Sequence, residues 1–215
     1  HYIVMEFVAG LSAASYLRLR RDAGRTGLDA SEALQIGIAA SEGLAAAHAK
    51  GVIHRDVKPD NILIPWAERG RRLDLAAAKL ADLGLAREET AERSLTTTQA
   101  TMGTPGFMAP EQAHDARRAG PAADVFGLGA SLYALLSGSA PFTGSSAFAT
   151  LMATAHEPHK PILQARPDVS PALAAVLDRC LEKQPEARFA SGAALRDALK
   201  ACRDRTAAAF SADAT

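Results

Sequence analysis

The sequence predicts a mainly α-helical domain with a few short strands, and three observations support this fold class. Helix-start signals occur along the chain, and Asp29 with Glu32 three residues later has the pattern of a capping box. Residues 122–137 form an apolar segment of a length typical of a buried helix. Strand-like apolar runs are brief and comprise residues 1–7, 52–53 and 62–64.

In the first third of the chain, residues 1–7 (HYIVMEF) predict a strand in the centre of a sheet, and residues 8–10 a connector. The capping box predicts a helix from Asp29 to about Lys50 that ends at Gly51. One face of this helix carries Leu34, Ile38, Ala45 and His48. Short strands at 52–53 and 62–64 would flank a polar loop at 54–61, and residues 65–78 are expected to form an exposed connection.

In the remainder of the chain, Thr-rich residues 85–103 predict a mobile loop, and the pattern after them is helical. Four helices are expected: a buried one over 122–137, an amphipathic one over 145–156 with Phe148, Leu151 and Met152 on its apolar face, one opened by Ser170 and Pro171 and running to Lys183, and one opened by Ser191 that carries Leu195 and Leu199. The Ala-rich residues 206–215 are expected to be a flexible tail. The absence of repeats and linkers predicts one unit.

Composition excludes several classes of function. Lys plus Arg and Asp plus Glu each number 24, so no net charge favours nucleic acid as a partner. The two cysteines are too few for a disulfide framework and indicate free thiols in a reducing compartment. The apolar residues 125–136 are too few to span a bilayer, and no signal peptide is present, so a cytoplasmic location is expected. Because the chain starts with His1, it need not begin where its gene does.

The loop at 54–61 reads His-Arg-Asp-Val-Lys-Pro-Asp-Asn and combines the groups that phosphoryl transfer needs. Asp56 is a candidate acceptor for the proton of a substrate hydroxyl, and Lys58 is a candidate cation beside the transferred phosphate. Asn61 offers an amide oxygen to a hard cation such as Mg²⁺. The alternative is a polar turn whose Asp and Asn cap nearby backbone and whose shape Pro59 fixes.

This octet, of the form H-R-D-x-K-P-x-N, resembles the catalytic loop of protein kinases. Further along, Asp82-Leu83-Gly84 stands where kinases have D-F-G, and residues 103–111 (GTPGFMAPE) resemble the end of the kinase activation segment, 82–111. Residues 124–129 (DVFGLG) match the family's D-V-W-S-L-G. The pattern covers nearly the whole chain and resembles the C-terminal lobe of a eukaryotic-like (Hanks-type) bacterial Ser/Thr protein kinase.

The resemblance implies a set of site residues. The catalytic residues would be Asp56, Lys58 and Thr104, and Asn61 and Asp82 would bind both Mg²⁺ and the nucleotide phosphates. The nucleotide would also contact Met5 as the gatekeeper and Glu6 and Val8 in the hinge. Ser12 would lie near the ribose, and Leu63 would pack under the adenine. Structural roles would fall to His54, to Leu83 as an apolar plug that packs on it, to a Glu111–Arg188 ion pair, and to Asp124, which would accept backbone N–H groups of the catalytic loop. Regulation by phosphorylation would involve Arg55 and the acceptors Thr96, Thr98 and Thr101.

The resemblance also implies a division of the chain. Residues 1–10 would be the last N-lobe strand and hinge, 11–205 the C-lobe, and 206–215 the tail. No G-x-G-x-x-G and no V-A-I-K lysine occur in the 215 residues, and these are the parts that hold ATP phosphates. The sequence therefore predicts part of a Ser/Thr kinase that is inactive alone, with the N-lobe sheet missing except for its last strand.

Partners and alternatives follow from the same reading. The expected substrate is a protein with a Ser or Thr acceptor. Self-phosphorylation or a kinase dimer is compatible with the family. The chain could also be the cytoplasmic domain of a longer, membrane-anchored kinase. Two other functions remain open at this point. One is a non-catalytic interaction module, and the other is a small-molecule phosphotransferase of the aminoglycoside type, against which the segment 103–111 argues.

Overall fold

The computed structural model describes residues 5–67, 72–83, 105–114 and 119–212, with side chains up to residue 205. Helices dominate this part of the chain: α1 (Ala13–Asp22), α2 (Ala30–His48), α3 (Pro110–His114), α4 (Pro121–Ser137), α5 (Ala147–His156), α6 (Ile162–Ala165), α7 (Pro171–Cys180) and α8 (Gly192–Ala212). The mainly α fold predicted from the sequence is therefore confirmed.

Helix α4 is the centre of the core. Every residue from Ala123 to Leu136 is buried, as the apolar sequence predicts, and α2 and α7 pack against it. The helix ends at Gly138, whose φ of 84° lies in the left-handed region. A Cβ at this position would lie 2.2 Å from the carbonyl oxygen of Thr26, so only glycine fits.

Local helix-start signals are reliable in this chain. At α2, the Asp29 N–H donates to Glu32 Oε2 at 3.0 Å, as the capping box requires. The hydroxyl of Ser170 accepts from the Leu173 N–H at 3.2 Å and begins α7. Helix α7 ends at Cys180, before the predicted end at Lys183, and α8 continues to Ala212, so the expected boundary at 205 falls within a helix.

The predicted strand over residues 1–7 is wrong for the part that is described, because residues 5–9 form no regular structure. Met5 is 64% exposed and Phe7 is 89% exposed. A strand needs a hydrogen-bonded neighbour, and the structure pairs none with residues 5–7 in the part of the chain that it describes. Residues 1–4 lie outside the described residues.

Within the described residues, three short strands form one antiparallel sheet: β1 (Gly10–Ser12), β2 (Ile62–Pro65) and β3 (Lys79–Leu80), in the order β1-β2-β3. Strand β2 is close to the strand predicted at 62–64, but residues 52–53 are not a strand. The described parts of 65–78 connect β2 to β3, as expected, and all but Ala78 are exposed or half-buried, with a bridge between Trp66 and Leu73.

Helix α1 has no counterpart in the sequence prediction, although its signal was present. The Ser12 hydroxyl accepts from the Ser15 N–H at 3.1 Å and caps the helix. Tyr16 of this helix donates to Glu32 Oε1 at 2.7 Å, which ties α1 to the start of α2. Burial, followed by that hydrogen bond and the charge of Glu32, raises the pKa of Tyr16 to about 12.

The predicted apolar face of α5 is not its buried face. Phe148 is 71% exposed and Met152 is 41% exposed, whereas Ala153 and Thr154 are buried. The apolar spacing located the helix correctly but did not identify the side that packs.

Among the described residues, no helix combines the length and the hydrophobicity needed to cross a membrane.

Candidate active site

The loop at 54–61 owes its shape to Asp124 in the first turn of α4. This carboxylate is 1% exposed. Its Oδ2 accepts the His54 N–H at 2.8 Å and its Oδ1 accepts the Arg55 N–H at 2.7 Å, which are the backbone contacts expected from the sequence. Arg55 has a φ of 65°, a left-handed conformation that is unfavourable for a side chain other than glycine. Asp124 therefore holds the loop in a turn that the chain would not favour unaided.

His48 braces Asp124, a role that the sequence did not reveal. The Gly192 N–H at the start of α8 donates to His48 Nδ1 at 3.1 Å, so the ring proton lies on Nε2 and is donated to Asp124 Oδ2 at 2.8 Å. The sequence placed His48 only on the packing face of α2. Nothing in the local pattern indicates its partners, because they are 76 and 144 residues away.

Asp56 is the focus of the loop. Its Oδ2 accepts from Lys58 Nζ at 2.9 Å and from Asn61 Nδ2 at 3.0 Å. Asn61 Nδ2 also donates to the Asp56 carbonyl at 2.8 Å, so it fixes both the side chain and the backbone. The described residues donate no hydrogen bond to Oδ1, and the side chain is 31% exposed. Asp56 thus presents one carboxylate oxygen that can accept a proton from a bound hydroxyl.

Backbone hydrogen bonds of Ala81, the residue between β3 and Asp82, place Asp82 close to Asn61. The Ala81 N–H donates to the Asn61 carbonyl at 2.9 Å, and His54 Nε2 donates to the Ala81 carbonyl at 3.0 Å. The next residue, Asp82, is exposed and has a φ of 57°. His54 itself is completely buried, as a structural role requires.

The side chains of Asn61 and Asp82 fit a magnesium ion. Asn61 uses its NH₂ group on Asp56, and within the described residues its Oδ1 accepts no hydrogen bond. An amide oxygen and an exposed carboxylate on adjoining segments are the hard oxygen donors that Mg²⁺ prefers.

The residues expected to form the hinge lie beside the three-stranded sheet. Ser12 is the register partner of Leu63, and the Trp66 N–H donates to the Ala9 carbonyl at 2.9 Å. Lys79 Nζ lies 2.5 Å from Glu6 Oε1. Val8 and Leu63 are half-buried, while Met5 and Glu6 are exposed.

Leu83 does not form the expected plug. It is 38% exposed and lies outside the buried core, because the described residues provide no apolar surface that covers it. The other expected residues of this region, Thr96, Thr98, Thr101 and Thr104, lie outside the described residues.

The segment 105–112 is tied to the loop by Gln112, a residue that the sequence analysis did not select. Gln112 Nε2 donates to the Arg55 carbonyl at 2.8 Å, and its Oε1 accepts the Ala109 N–H at 3.1 Å. The side chain is buried, so both contacts are sheltered from water.

The Glu111–Arg188 ion pair expected from the sequence is present, and the two side chains meet at 2.7 and 2.9 Å in a bidentate contact. The side chain of Arg188 is completely buried. Its other hydrogen bonds go to the carbonyl groups of Ala122, Glu182 and Lys183. All five N–H donors of the guanidinium are thereby used.

Comparisons with known proteins show the family of the chain. A family model described as "Protein kinase domain" matches residues 1–199. Among curated relatives, Serine/threonine-protein kinase PknA of Mycobacterium tuberculosis is 38% identical over 94% of this chain and 43% of the relative. Serine/threonine-protein kinase Pkn1 of Myxococcus xanthus is 36% identical over 93% of this chain and 27% of the relative. Serine/threonine-protein kinase PknB of Mycobacterium leprae is 35% identical over 91% of this chain and 29% of the relative.

The fold has a counterpart among solved structures. The chain is similar to the crystal structure of Rad53 1-466 in complex with AMP-PNP, with a TM-score of 0.66 and 22% identity over 89% of this chain and 44% of that one. The chain spans less than half the length of the curated relatives named here.

Proposed function

Because the chain belongs to the protein kinase family, we propose that it transfers the γ-phosphoryl group of ATP to Ser or Thr hydroxyls of protein substrates, as a eukaryotic-like bacterial kinase. The observation that carries this proposal is the arrangement of Asp56, whose Oδ2 is held by Lys58 and Asn61 while Oδ1 is free to accept a proton. A small-molecule phosphotransferase is not favoured, because the family model that matches is that of protein kinases.

The residues of the loop divide the reaction between them. Asp56 orients the acceptor hydroxyl and takes its proton, and Lys58 lies where its charge can offset that of the transferred phosphoryl group. Asn61 and Asp82 would hold Mg²⁺, which would supply positive charge to the phosphate oxygens. Thr104, which lies outside the described residues, is proposed to favour Ser and Thr acceptors, as the resemblance implies.

The nucleotide lies between the hinge and β2. Glu6 C=O and Val8 N–H meet the adenine edge, Leu63 packs under the ring, Ser12 lies near the ribose, and Met5 acts as gatekeeper. The register pairing of Ser12 with Leu63 supports this placement, since it brings the start of α1 beside the floor of the site. The Ser12 hydroxyl is engaged in capping α1, so its contact with a ribose would involve its remaining lone pair.

The chain is proposed to contribute the catalytic C-lobe of the kinase, with residues 1–10 as the hinge that leads to the N-lobe. No G-x-G-x-x-G occurs in the 215 residues, so the groups that clamp the ATP phosphates must come from outside this chain. The exposure of Met5 and Phe7 supports this division, since an N-lobe sheet would cover them. A location in the cytoplasm, alone or as the cytoplasmic domain of a membrane-anchored kinase, suits such an enzyme.

Regulation is proposed through Arg55 and the Thr-rich loop. Phosphorylation of Thr96, Thr98 or Thr101, by the enzyme itself or within a kinase dimer, would place a dianion that Arg55 can pair with.

The test replaces Asp56 by Asn in the complete protein that contains this chain, with a Ser/Thr peptide as substrate. We expect kcat to fall by roughly 10²–10⁴-fold, the range for loss of a general base, with no change in thermal unfolding. Asp60→Asn is the matched control, because Asp60 is exposed in the same loop and should leave kcat unchanged.

Three outcomes would contradict the proposal. Retention of activity in Asp56→Asn would remove Asp56 from the chemistry. Rapid Mg²⁺-dependent phosphorylation by the 215-residue chain alone would show that the division between lobes is wrong. If the complete protein neither transfers phosphate nor shows a thermal shift with Mg-ATP, a non-catalytic interaction module replaces the kinase.

A further inference from the structure

Helix α5 ends with a carbonyl group that the helix itself cannot satisfy. The Thr154 carbonyl would ordinarily accept from the N–H four residues later, but that residue is Pro158, which has none. Glu157 is extended, so the helix does not continue. Thr154 is completely buried, and a buried carbonyl without a donor is unfavourable.

Lys183 supplies the missing donor from the segment that follows α7. Its Nζ lies 2.6 Å from the Thr154 carbonyl oxygen and 3.8 Å from the centre of the Phe142 ring. A cation at the carboxyl end of a helix is also favoured by the helix dipole. One ammonium group therefore holds both the end of α5 and the loop before it.

The surroundings of Lys183 determine its pKa and therefore its charge. Burial and, after it, the charge of Arg188 lower the pKa of Lys183 to about 8, against the opposing charges of Glu157 and Glu182. The group is thus mostly charged at neutral pH, and the neutral amine at higher pH can still donate to Thr154.

Thr154 in turn contacts the segment 105–112. Its Oγ1 donates to the Thr150 carbonyl at 2.9 Å and also lies 3.4 Å from the Pro105 carbonyl, in a three-centre arrangement. Gly106 packs so closely on Phe142 that an added Cβ would lie 2.9 Å from the Phe142 carbonyl oxygen. The turn Pro105–Phe107 therefore rests on the two residues that Lys183 holds.

The opposite end of the segment has separate anchors. Glu111 is paired with Arg188, and Gln112 is bonded to the Arg55 carbonyl. Among the described contacts, Thr154 provides the side-chain hydrogen bond at the Pro105 end.

We infer that Lys183 is a positioning residue for the protein substrate, since through Thr154 and Phe142 it fixes the turn Pro105–Phe107 beside the acceptor site. This rests on the proposed function, in which Thr104, directly before this turn, favours Ser and Thr acceptors, and Gln112 ties the same segment to the loop at 54–61. Lys183 touches neither ATP nor the reacting atoms, so its removal should weaken substrate binding and leave the chemical step intact.

The experiment compares Lys183→Met, which keeps the length of the side chain but not the donor, with Lys183→Arg, which keeps charge and donor. Lys200→Met is the control, since Lys200 is a surface lysine paired with Glu42. Hydrogen exchange of peptides covering residues 105–112 is measured on the 215-residue chain, and the kinetics are measured on the complete protein.

We expect Lys183→Met to lose exchange protection in 105–112 and to raise the KM for a peptide substrate about 5-fold, the effect of one hydrogen bond. Its kcat and its KM for ATP should stay within about twofold, Lys183→Arg should restore both readouts, and Lys200→Met should change neither.

Unchanged exchange in Lys183→Met, or a fall in kcat without a change in peptide KM, would overturn the inference. Exchange needs no catalysis, so it decides whether Lys183 holds the segment even if the complete protein proves inactive. Inactivity of the wild-type protein would count against the proposed function alone.

Discussion

Replacing Glu111 by Ala tests the energetic weight of the buried ion pair. The substitution leaves the Arg188 guanidinium buried, with its three carbonyl partners but no counter-charge. Breaking a buried pair from one side costs roughly 3–5 kcal/mol. The lower end applies here, because the three carbonyl groups still solvate the cation and the Glu111 side chain is 20% exposed. We therefore expect a loss of about 3 kcal/mol in the free energy of unfolding.

The assays are urea unfolding, which gives the free energy, and thermal unfolding, which gives the Tm, both on the 215-residue chain and followed by circular dichroism. For a domain of this size, each kcal/mol lowers the Tm by about 2–4 °C, so the Tm should fall by roughly 6–12 °C. Glu42→Ala is the control, because Glu42 forms an exposed pair with Lys200 and should cost no more than about 1 kcal/mol.

A double-mutant cycle isolates the pair itself. Once Arg188→Met has removed the cation, the loss of Glu111 should matter little. The loss of stability in the double variant should therefore be about 2 kcal/mol smaller than the sum of the losses in the two single variants. A loss below about 1 kcal/mol in Glu111→Ala, or additive losses in the cycle, would refute the reasoning.

Three further predictions concern stability. Between pH 8 and 10.5, the free energy of unfolding of the wild type should rise relative to that of Lys183→Met. The reason is that the pKa of Lys183 is about 8 in the folded protein and near 10.5 in the unfolded chain, so the unfolded chain binds more protons in this range. Urea midpoints of both proteins at pH 7.5 and pH 10 test the direction of the change. His48→Ala should cost about 2 kcal/mol, because it leaves the buried Gly192 N–H and Asp124 short of a partner, and an unchanged midpoint would exclude this brace. Gly138→Ala should lower the free energy of unfolding by about 1–3 kcal/mol, from its left-handed φ and the nearby Thr26 carbonyl, while Gly120→Ala, where a Cβ has open space, serves as the control in thermal melts.

The sequence predicted the elements whose cause is local. Capping signals located α2 and α7, and the continuous apolar run located α4, because each depends on residues a few positions apart. Motif resemblance also predicted two distant pairings, Asp124 with the loop at 54–61 and Glu111 with Arg188.

Features that depend on unrelated parts of the chain were not predictable from patterns. His48, Gln112 and Lys183 look like ordinary helix and loop residues, and their partners are between 29 and 144 residues away. The exposed face of α5 was mistaken for a core face, since apolar spacing gives a period but not a neighbour. The strand expected at residues 1–7 is missing from its described part, residues 5–7, for the same reason, because pairing requires a second strand.

The brace around Asp124 also sets the order in which the molecule can assemble. The loop bonds to Asp124 across 69 and 70 residues, and His48 joins Asp124 to the start of α8, which is 144 residues from His48. Such distant contacts form late in folding, because long loops must close first. During synthesis, the loop at 54–61 would therefore acquire its final shape only after residue 192 has left the ribosome. If the chain has the function proposed above, it would stay catalytically silent until α8 has docked.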